Sequence, residues 1–406
     1  MRKQGDMGHR SVIASASAAG PGRPSSEPVS LSYAFLSSAM YNDLYHFNRD
    51  EIRKSRIFLG QGAASSVYKS AVYPSTQGTV RPQVVAVKQK RRRGFSFDFD
   101  VPLESWLRFA YLDVRVMSYP PLQHSKNIAT VLGYFWEDVE IEGRACLSPC
   151  LVMPVAYDKA PTLEHLLATR HADNNALEVQ ETIHFCHGVA NGLAELHDAR
   201  VVHGDMKLSN VLLFERDGQL IPKLSDFSHS FVESDFFDTI FEKPQYTGTR
   251  PFAIPEVRRQ WSEPFEVEIR TSSSHDGKQP WEMKDFYLCD VFGLGLLICS
   301  ILNGGVEISS RAKDSLAKDG HQPDDNLIDE YVGQLCQRPL GVLTECKKSF
   351  TVYSSTSELA DSPAVRTVLE MCLQDVPESR SSAADVAASI NTWSKEDTVA
   401  ITSQNE

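Results

Sequence analysis

The sequence predicts an α+β molecule of two lobes, a small antiparallel-sheet lobe followed by a larger helical lobe, with a cleft between them. Three observations point there. Short β-branched and aromatic runs crowd residues 55–90, apolar spacing turns mostly helical from residue 162 onward, and 406 residues suffice for one large domain or two moderate ones.

The elements follow in chain order. Residues 1–30 are rich in Ser, Ala, Gly and Pro and read as a disordered tail; a mitochondrial presequence is weakened by Asp6 and the Gly/Pro cluster. "LSYAFLSSAMYNDLYHF" has helical spacing, with Tyr33, Leu36, Met40, Leu44 and Phe47 expected on one face; it makes 31–54 a helical extension. "SRIFLGQG", "SSVYKSAVY" and "QVVAVKQ" read as an antiparallel meander, the last two joined by the turn-like "PSTQGTVRP". "WLRFAYLDVRVM" (106–117) is a helix that must stop before Pro120-Pro121. Two more strands are expected in "IATVLGYFW" and "CLVMPVA". "QETIHFCHGVANGLAELHDA" carries Ile183, Cys186, Val189, Ala190, Leu193 and Leu196 as one buried helical stripe. It ends immediately before "VVHGDMKLSNVLLF". The apolar run 291–302 is too short to span a bilayer and reads as a core helix. No internal repeat is visible.

Composition narrows the function classes. A net charge of -12 argues against general affinity for nucleic acid or anionic membrane. The local exception, "KQKRRRG" from Lys88 to Gly94, reads as a solvated basic loop after a strand before it reads as a nuclear-import signal. Eight Cys contain no Cys-x-x-Cys pair, which favours reduced, buried thiols in the cytoplasm or nucleus over zinc or disulfides. No stretch reads as a secretory signal.

Four features carry chemistry. Gly60 and Gly62, in "LGQGAASSVYK", let a hairpin backbone approach phosphate oxygens, and flanking strands exclude a dinucleotide-binding turn, which needs a helix. Lys88 ends the apolar strand "VVAVK", one strand after the hairpin, as a candidate phosphate clamp; Asp113 is its best acidic partner and Glu104 the runner-up. Asp226, in "LSDFSHS", sits where a strand opens into a loop and can hold Mg²⁺, with Asn210 as a second hard oxygen donor. His203, Asp205, Lys207 and Asn210 then gather a base, a cation and a metal ligand on one loop.

These residues, with Phe227 and "GTRPFAIPE" (248–256), occur in one order along one chain, and that order resembles the eukaryotic protein kinases. The resemblance covers about residues 55 to 395 and is nearest to the serine/threonine and tyrosine-kinase-like branches, in a form common among filamentous fungi. It implies a bilobal protein-kinase fold with an N-lobe and hinge over 55–156, a C-lobe over 157–395 and a C-terminal tail over 396–406. It implies ATP and Mg²⁺ as cofactors and protein substrates as partners, without nucleic acid or membrane.

Residue by residue, the resemblance makes Gly60 and Gly62 the phosphate-covering loop, with Ser65 in place of its last Gly. Val67 and Ala86 stack on adenine, Met153 guards the back of its pocket, and Pro154, Val155 and Ala156 form the hinge. Lys88 orients the α- and β-phosphates, paired with Asp113 where the family has Glu. Asp205 is the catalytic base and Lys207 neutralises the moving phosphoryl group, while Asn210 and Asp226 hold Mg²⁺. Thr249 orients Asp205 and Lys207, Glu256 and Arg380 form a buried ion pair, and Asp290 supports the catalytic loop.

Three departures stand out. Gly204 replaces the Arg that pairs with a phosphorylated activation loop, so phosphate on Thr239, Tyr246 or Thr247 loses its usual partner and activity is expected to be independent of it. Ser228 replaces the Gly after Asp-Phe, and "EIRTSSSHDGKQP" (268–280) reads as a polar surface insertion. The leading expectation is a protein kinase acting on Ser/Thr hydroxyls. The alternatives are a pseudokinase that binds ATP or acts as a scaffold, motivated by Asp113, Gly204 and Ser228, and a small-molecule phosphotransferase of kinase-like fold, motivated by "HGD". The Lys88–Asp113 separation discriminates the first two: a carboxylate out of hydrogen-bond range favours the pseudokinase.

Overall fold

β-Branched and aromatic runs between residues 45 and 154 assemble into one six-stranded sheet in the computed structural model, which describes residues 30–404 apart from 54–55, 63, 73–82, 92–100, 142, 234–282, 319–321, 323, 337–340, 348–358, 360–361 and 375. The strands are β1 (Tyr45–His46), β2 (Ile57–Gln61), β3 (Ser65–Val72), β4 (Gln83–Lys90), β5 (Gly133–Ile141) and β6 (Arg144–Pro154), in the spatial order β1-β5-β6-β4-β3-β2. The meander expected from the sequence is there as β2-β3-β4, and β6 and β5 continue it antiparallel.

The sheet is mixed, however, because β1 joins its edge parallel to β5. Gly133 makes this possible. A Cβ there would lie 2.0 Å from the Tyr45 carbonyl oxygen and 2.7 Å from the Phe47 ring, distances no side chain tolerates. The stretch 31–54 is therefore not helical throughout: it holds α1 (Leu31–Tyr41), β1 and the short α2 (Arg49–Arg53).

α1 begins at Ser30, whose Oγ accepts the Tyr33 N–H at 3.3 Å, an ordinary N-cap. Its buried face differs from the expected one. Ala34, Phe35, Ser38 and Ala39 are buried, while Tyr33 and Met40 are 64% and 73% exposed. Small residues let α1 lie close against α3 (Leu103–Met117), which apolar periodicity alone does not reveal. α3 runs three residues further upstream than expected and ends at Ser118, ahead of the two prolines. A second small core lies under Phe47 and Ile52, with Val85, Val87 and Phe135.

The basic run also departs from expectation. Lys88, Gln89 and Lys90 complete β4 and are buried, so the run starts inside the sheet and not in a solvated loop.

The second lobe contains α4 (Leu163–Ala172), α5 (Val179–Asp198), α6 (Met283–Leu302), α7 (Ile308–Lys318), α8 (Asp325–Cys336), α9 (Gly341–Lys347), α10 (Pro363–Cys372) and α11 (Ala383–Gln404). The strand pairs β7 (Val201–Val202) with β10 (Phe231–Val232), and β8 (Val211–Arg216) with β9 (Gln219–Leu224), lie between α5 and α6 in sequence. The α5 stripe predicted from spacing is buried at all six positions. α6 is long and apolar enough to cross a membrane by length and composition, yet every residue from Cys289 to Leu302 is buried in the helical core. The result is a bilobal α+β fold.

Candidate active site

Strand register decides what faces the cleft. Cross-strand partners share a face, and Lys88 lies opposite Val67 on β3 and Leu151 on β6, while Ala86 lies opposite Lys69 and Met153. Val67, Ala86, Lys88 and Met153 therefore line one side of the sheet, and Val155 and Ala156 follow directly where β6 ends at Pro154. Gly60 and Gly62 sit at the β2–β3 hairpin, closed by the Gly62 N–H donating to the Ser65 carbonyl at 2.8 Å. Among the described residues, a Cβ on Gly60 meets no atom within 4 Å, and one on Gly62 only Ser65 Oγ at 3.8 Å. Packing within the protein does not demand these glycines, which is what a ligand-facing loop requires.

Lys88 is the hub. Its Nζ donates to Asp113 Oδ2 at 2.7 Å and to Asp226 Oδ1 at 2.7 Å. The other oxygen of Asp113 accepts the Phe227 backbone N–H at 2.8 Å. One carboxylate thus joins β4, α3 and the loop after β9, and its separation from Lys88 is well within hydrogen-bond range. Glu104, the alternative partner, is exposed.

The charges settle accordingly. Burial alone would lower the Lys88 pKa, but the two carboxylates overcome it and hold the ammonium above its ordinary value. Burial pushes the fully enclosed Asp113 carboxyl up, opposed by Lys88 and the Phe227 N–H. Asp226 keeps 38% of its side chain exposed; burial would raise it, but the Lys88 charge and hydrogen bond, helped by the Ser228 hydroxyl, hold it well below the usual carboxylate range.

The second half of the site is the loop 203–210. Asp205 Oδ2 takes the Lys207 ammonium at 2.6 Å and the Asn210 amide at 3.0 Å, and Asn210 also donates to the Asp205 carbonyl at 2.8 Å. Asp290, buried two turns into α6, anchors this loop from below. Its carboxylate accepts the His203 and Gly204 N–H groups at 2.6 and 2.9 Å and meets His197 Nε2 at 3.2 Å. His203 in turn stacks obliquely near Phe227, with ring centroids 5.3 Å apart.

The donor set suits a hard divalent cation. The Asn210 amide nitrogen is committed to Asp205, which leaves its carbonyl oxygen for another partner, and the partly exposed Asp226 carboxylate stands on the adjoining loop at φ 62°, in the left-handed region.

Thr249, Glu256 and the insertion 268–280 lie outside the described residues, as do Thr239, Tyr246 and Thr247. Arg380, whose expected partner Glu256 is among these, also donates to the Gln374 and Leu288 carbonyls at 2.8 and 3.1 Å and lies over the Phe292 ring. Two groups carried no signal in the sequence. His197 braces Asp290, and Lys69 reaches both oxygens of Asp158 at 2.7 and 2.6 Å, tying the sheet to the segment past the hinge.

Comparison with known proteins agrees with this arrangement. The model of the protein kinase domain matches residues 54–390. Among curated relatives, the chain is 30% identical over 251 residues to the probable serine/threonine-protein kinase PBL20 of Arabidopsis thaliana, covering 61% of this chain and 52% of the relative. It is 29% identical over 238 residues to the probable serine/threonine-protein kinase PBL4 of the same plant, covering 57% and 50%. A shorter match, 32% over 100 residues, joins it to the serine/threonine-protein kinase plk-1 of Caenorhabditis elegans, covering 24% and 14%. The chain spans about half the length of the first two relatives. With most of its length matched by the family model and the cleft residues gathered as described, the chain belongs to the protein kinase domain family.

Proposed function

We propose that this chain is an ATP- and Mg²⁺-dependent kinase that phosphorylates Ser and Thr hydroxyls of protein substrates and does not need phosphorylation of its activation segment. The carrying observation is the paired bonding of Lys88 to Asp113 and Asp226 at 2.7 Å each, because it aligns the phosphate clamp, the short helix carboxylate and the metal carboxylate in one working geometry. That contact speaks against a scaffold-only reading.

Phosphoryl transfer asks a protein mainly for positioning and electrostatics. The Gly60–Gly62 backbone covers the phosphates, Lys88 holds their α- and β-oxygens, and Met153, Val67 and Ala86 shape the adenine pocket. Asp205 takes the proton of the acceptor hydroxyl as its oxygen bonds to the γ-phosphorus and the bond to the β-phosphate oxygen breaks. Lys207 offsets charge on the moving group. Asn210 and Asp226 would hold Mg²⁺, which when bound would neutralise phosphate charge.

Independence from activation-segment phosphorylation rests on how that segment starts. The Ser230 hydroxyl donates to the His203 carbonyl at 2.9 Å, the Glu233 N–H donates to the Arg200 carbonyl at 2.9 Å, and Arg200 pairs with the Glu233 carboxylate at 3.3 Å. Together with the β7–β10 pairing these contacts tie the segment to the catalytic loop without a phosphate.

The test is transfer of labelled γ-phosphate to a generic protein substrate. Asp205→Asn is expected to lower the rate by about 10²–10⁴-fold; equal signal from both proteins sinks the assignment. Label on Tyr alone would overturn the Ser/Thr specificity. Replacing Thr239, Tyr246 and Thr247 together should leave most of the rate intact, and its loss would refute the phosphate independence.

A further inference from the structure

α3 is enclosed in a way its role in the site does not by itself require. Residues 110–114 are all buried, and five successive residues go more than once round a helix, so α3 is covered on the side away from the cleft as well. The cover is α1. Ala34, Phe35 and Ala39 are fully buried there, and the small side chains let the two helices approach closely.

α1 is itself fastened to the sheet. The Phe35 ring meets Tyr134 and Trp136 of β5 edge-on, at 5.4 and 5.5 Å. Just beyond α1, β1 pairs with the same strand, and the Phe47 N–H donates to the Tyr134 carbonyl at 2.9 Å. A clamp thus joins α3, through α1, to β5 at two points, the Phe35 ring contacts and the β1 pairing.

Asp113 gives this clamp a task. An Asp is one methylene shorter than a Glu, about 1.5 Å of reach. Yet Asp113 meets Lys88 at 2.7 Å and the Phe227 N–H at 2.8 Å. A retreat of α3 by about one bond length would carry both contacts past hydrogen-bond range. A site built on Asp tolerates less helix movement than one built on Glu.

We propose that α1, through Phe35, is a positioning element of the phosphoryl-transfer site: it presses α3 inward so that the short Asp113 carboxylate can hold Lys88. This rests on the kinase activity proposed above, and it makes the N-terminal extension an intrachain activator.

The experiment uses the full chain and four variants: Phe35→Ala, Ala39→Leu, Asp113→Glu, and Phe35→Ala with Asp113→Glu. Phe35→Ala and Ala39→Leu, one loosening and one overfilling the contact, should each lower kcat/KM for ATP by about tenfold or more. Adding Asp113→Glu to Phe35→Ala should recover most of that loss, because the longer side chain bridges the retreat, while the lowered melting temperature stays low. A merely structural Phe35 predicts no recovery; that result, or wild-type kcat/KM in both α1 variants, overturns the proposal. Hydrogen exchange of α3 amides in wild type and Phe35→Ala provides a readout free of catalysis, with faster exchange expected in the variant. A wild type that transfers no phosphate defeats the kinase reading alone; unchanged α3 exchange defeats the positioning role alone.

Discussion

Gly204 sits at φ +80° with its α-carbon pressed against the next loop: a Cβ there would lie 2.2 Å from the His229 carbonyl oxygen. Side-chain-bearing residues in this region pay about 1–2 kcal/mol in local strain, and the contact adds a clash with backbone that cannot swing aside. The absence of Arg at 204 is therefore tied to how closely the start of the activation segment packs on the catalytic loop. Gly204→Ala is expected to destabilise the fold by about 2–4 kcal/mol, read as a lowered urea midpoint. Gly204→Arg should do at least as much and should not create dependence on activation-segment phosphate. From the sequence, Gly204 is legible as a missing phosphate partner. Its steric necessity is not, because that depends on a carbonyl 25 positions away in the chain.

At the scale of elements, the extension is where sequence and structure part most. The existence of α1 follows from its spacing, but its buried face follows from what it packs on. Ala34, Ser38 and Ala39 are selected by close approach to α3, and a count of large apolar residues points instead to Tyr33 and Met40. β1 is two residues long and exposed at both, so no alternation marks it; its signature is Gly133 on the partner strand. By contrast α5 is fully legible, since one long helix with one buried stripe is what periodicity reports best. Gly133→Ala tests the strand pairing. With its Cβ directed at the Tyr45 carbonyl, the substitution should cost about 1–3 kcal/mol and speed hydrogen exchange of the Phe47 amide, which the β1–β5 contact holds. Unchanged exchange at Phe47 would mean β1 does not depend on that glycine.

Across the whole molecule, the site joins residues far apart in sequence: Lys88 touches an Asp 25 positions on and another 138 positions on. Their order is readable because Lys88 lies near the end of an apolar strand, Asp113 on a core-facing helix and Asp226 where a strand opens into a loop. The distances are not, since they depend on how the lobes close. His203 is buried completely, with Asp290 and Phe227 beside it. The Asp205 N–H donates to His203 Nδ1 at 3.2 Å, so Nδ1 must be unprotonated and the ring neutral. Burial lowers the His203 pKa, with Asp290, Asp205 and Asp226 opposing. The sign follows: a folded-state value below the unfolded one, about 6.5, means that the unfolded chain binds the proton more readily. This contribution is fully present above about pH 6.5 and is lost as pH falls through that value, by at most about 1.4 kcal/mol per pH unit. Other groups also shift on folding, Glu307 and Asp113 upward through burial and so in the opposite sense, so the comparison must isolate one ring. His203→Phe removes the titration and also the acceptor for the Asp205 N–H, which makes the variant less stable at neutral pH. Thermal melts from about pH 7.5 down to about pH 5.5 should show the gap between wild type and His203→Phe narrowing, because only the wild type carries the cost of protonating that buried ring. A gap that stays constant over that range would mean His203 is as easily protonated folded as unfolded.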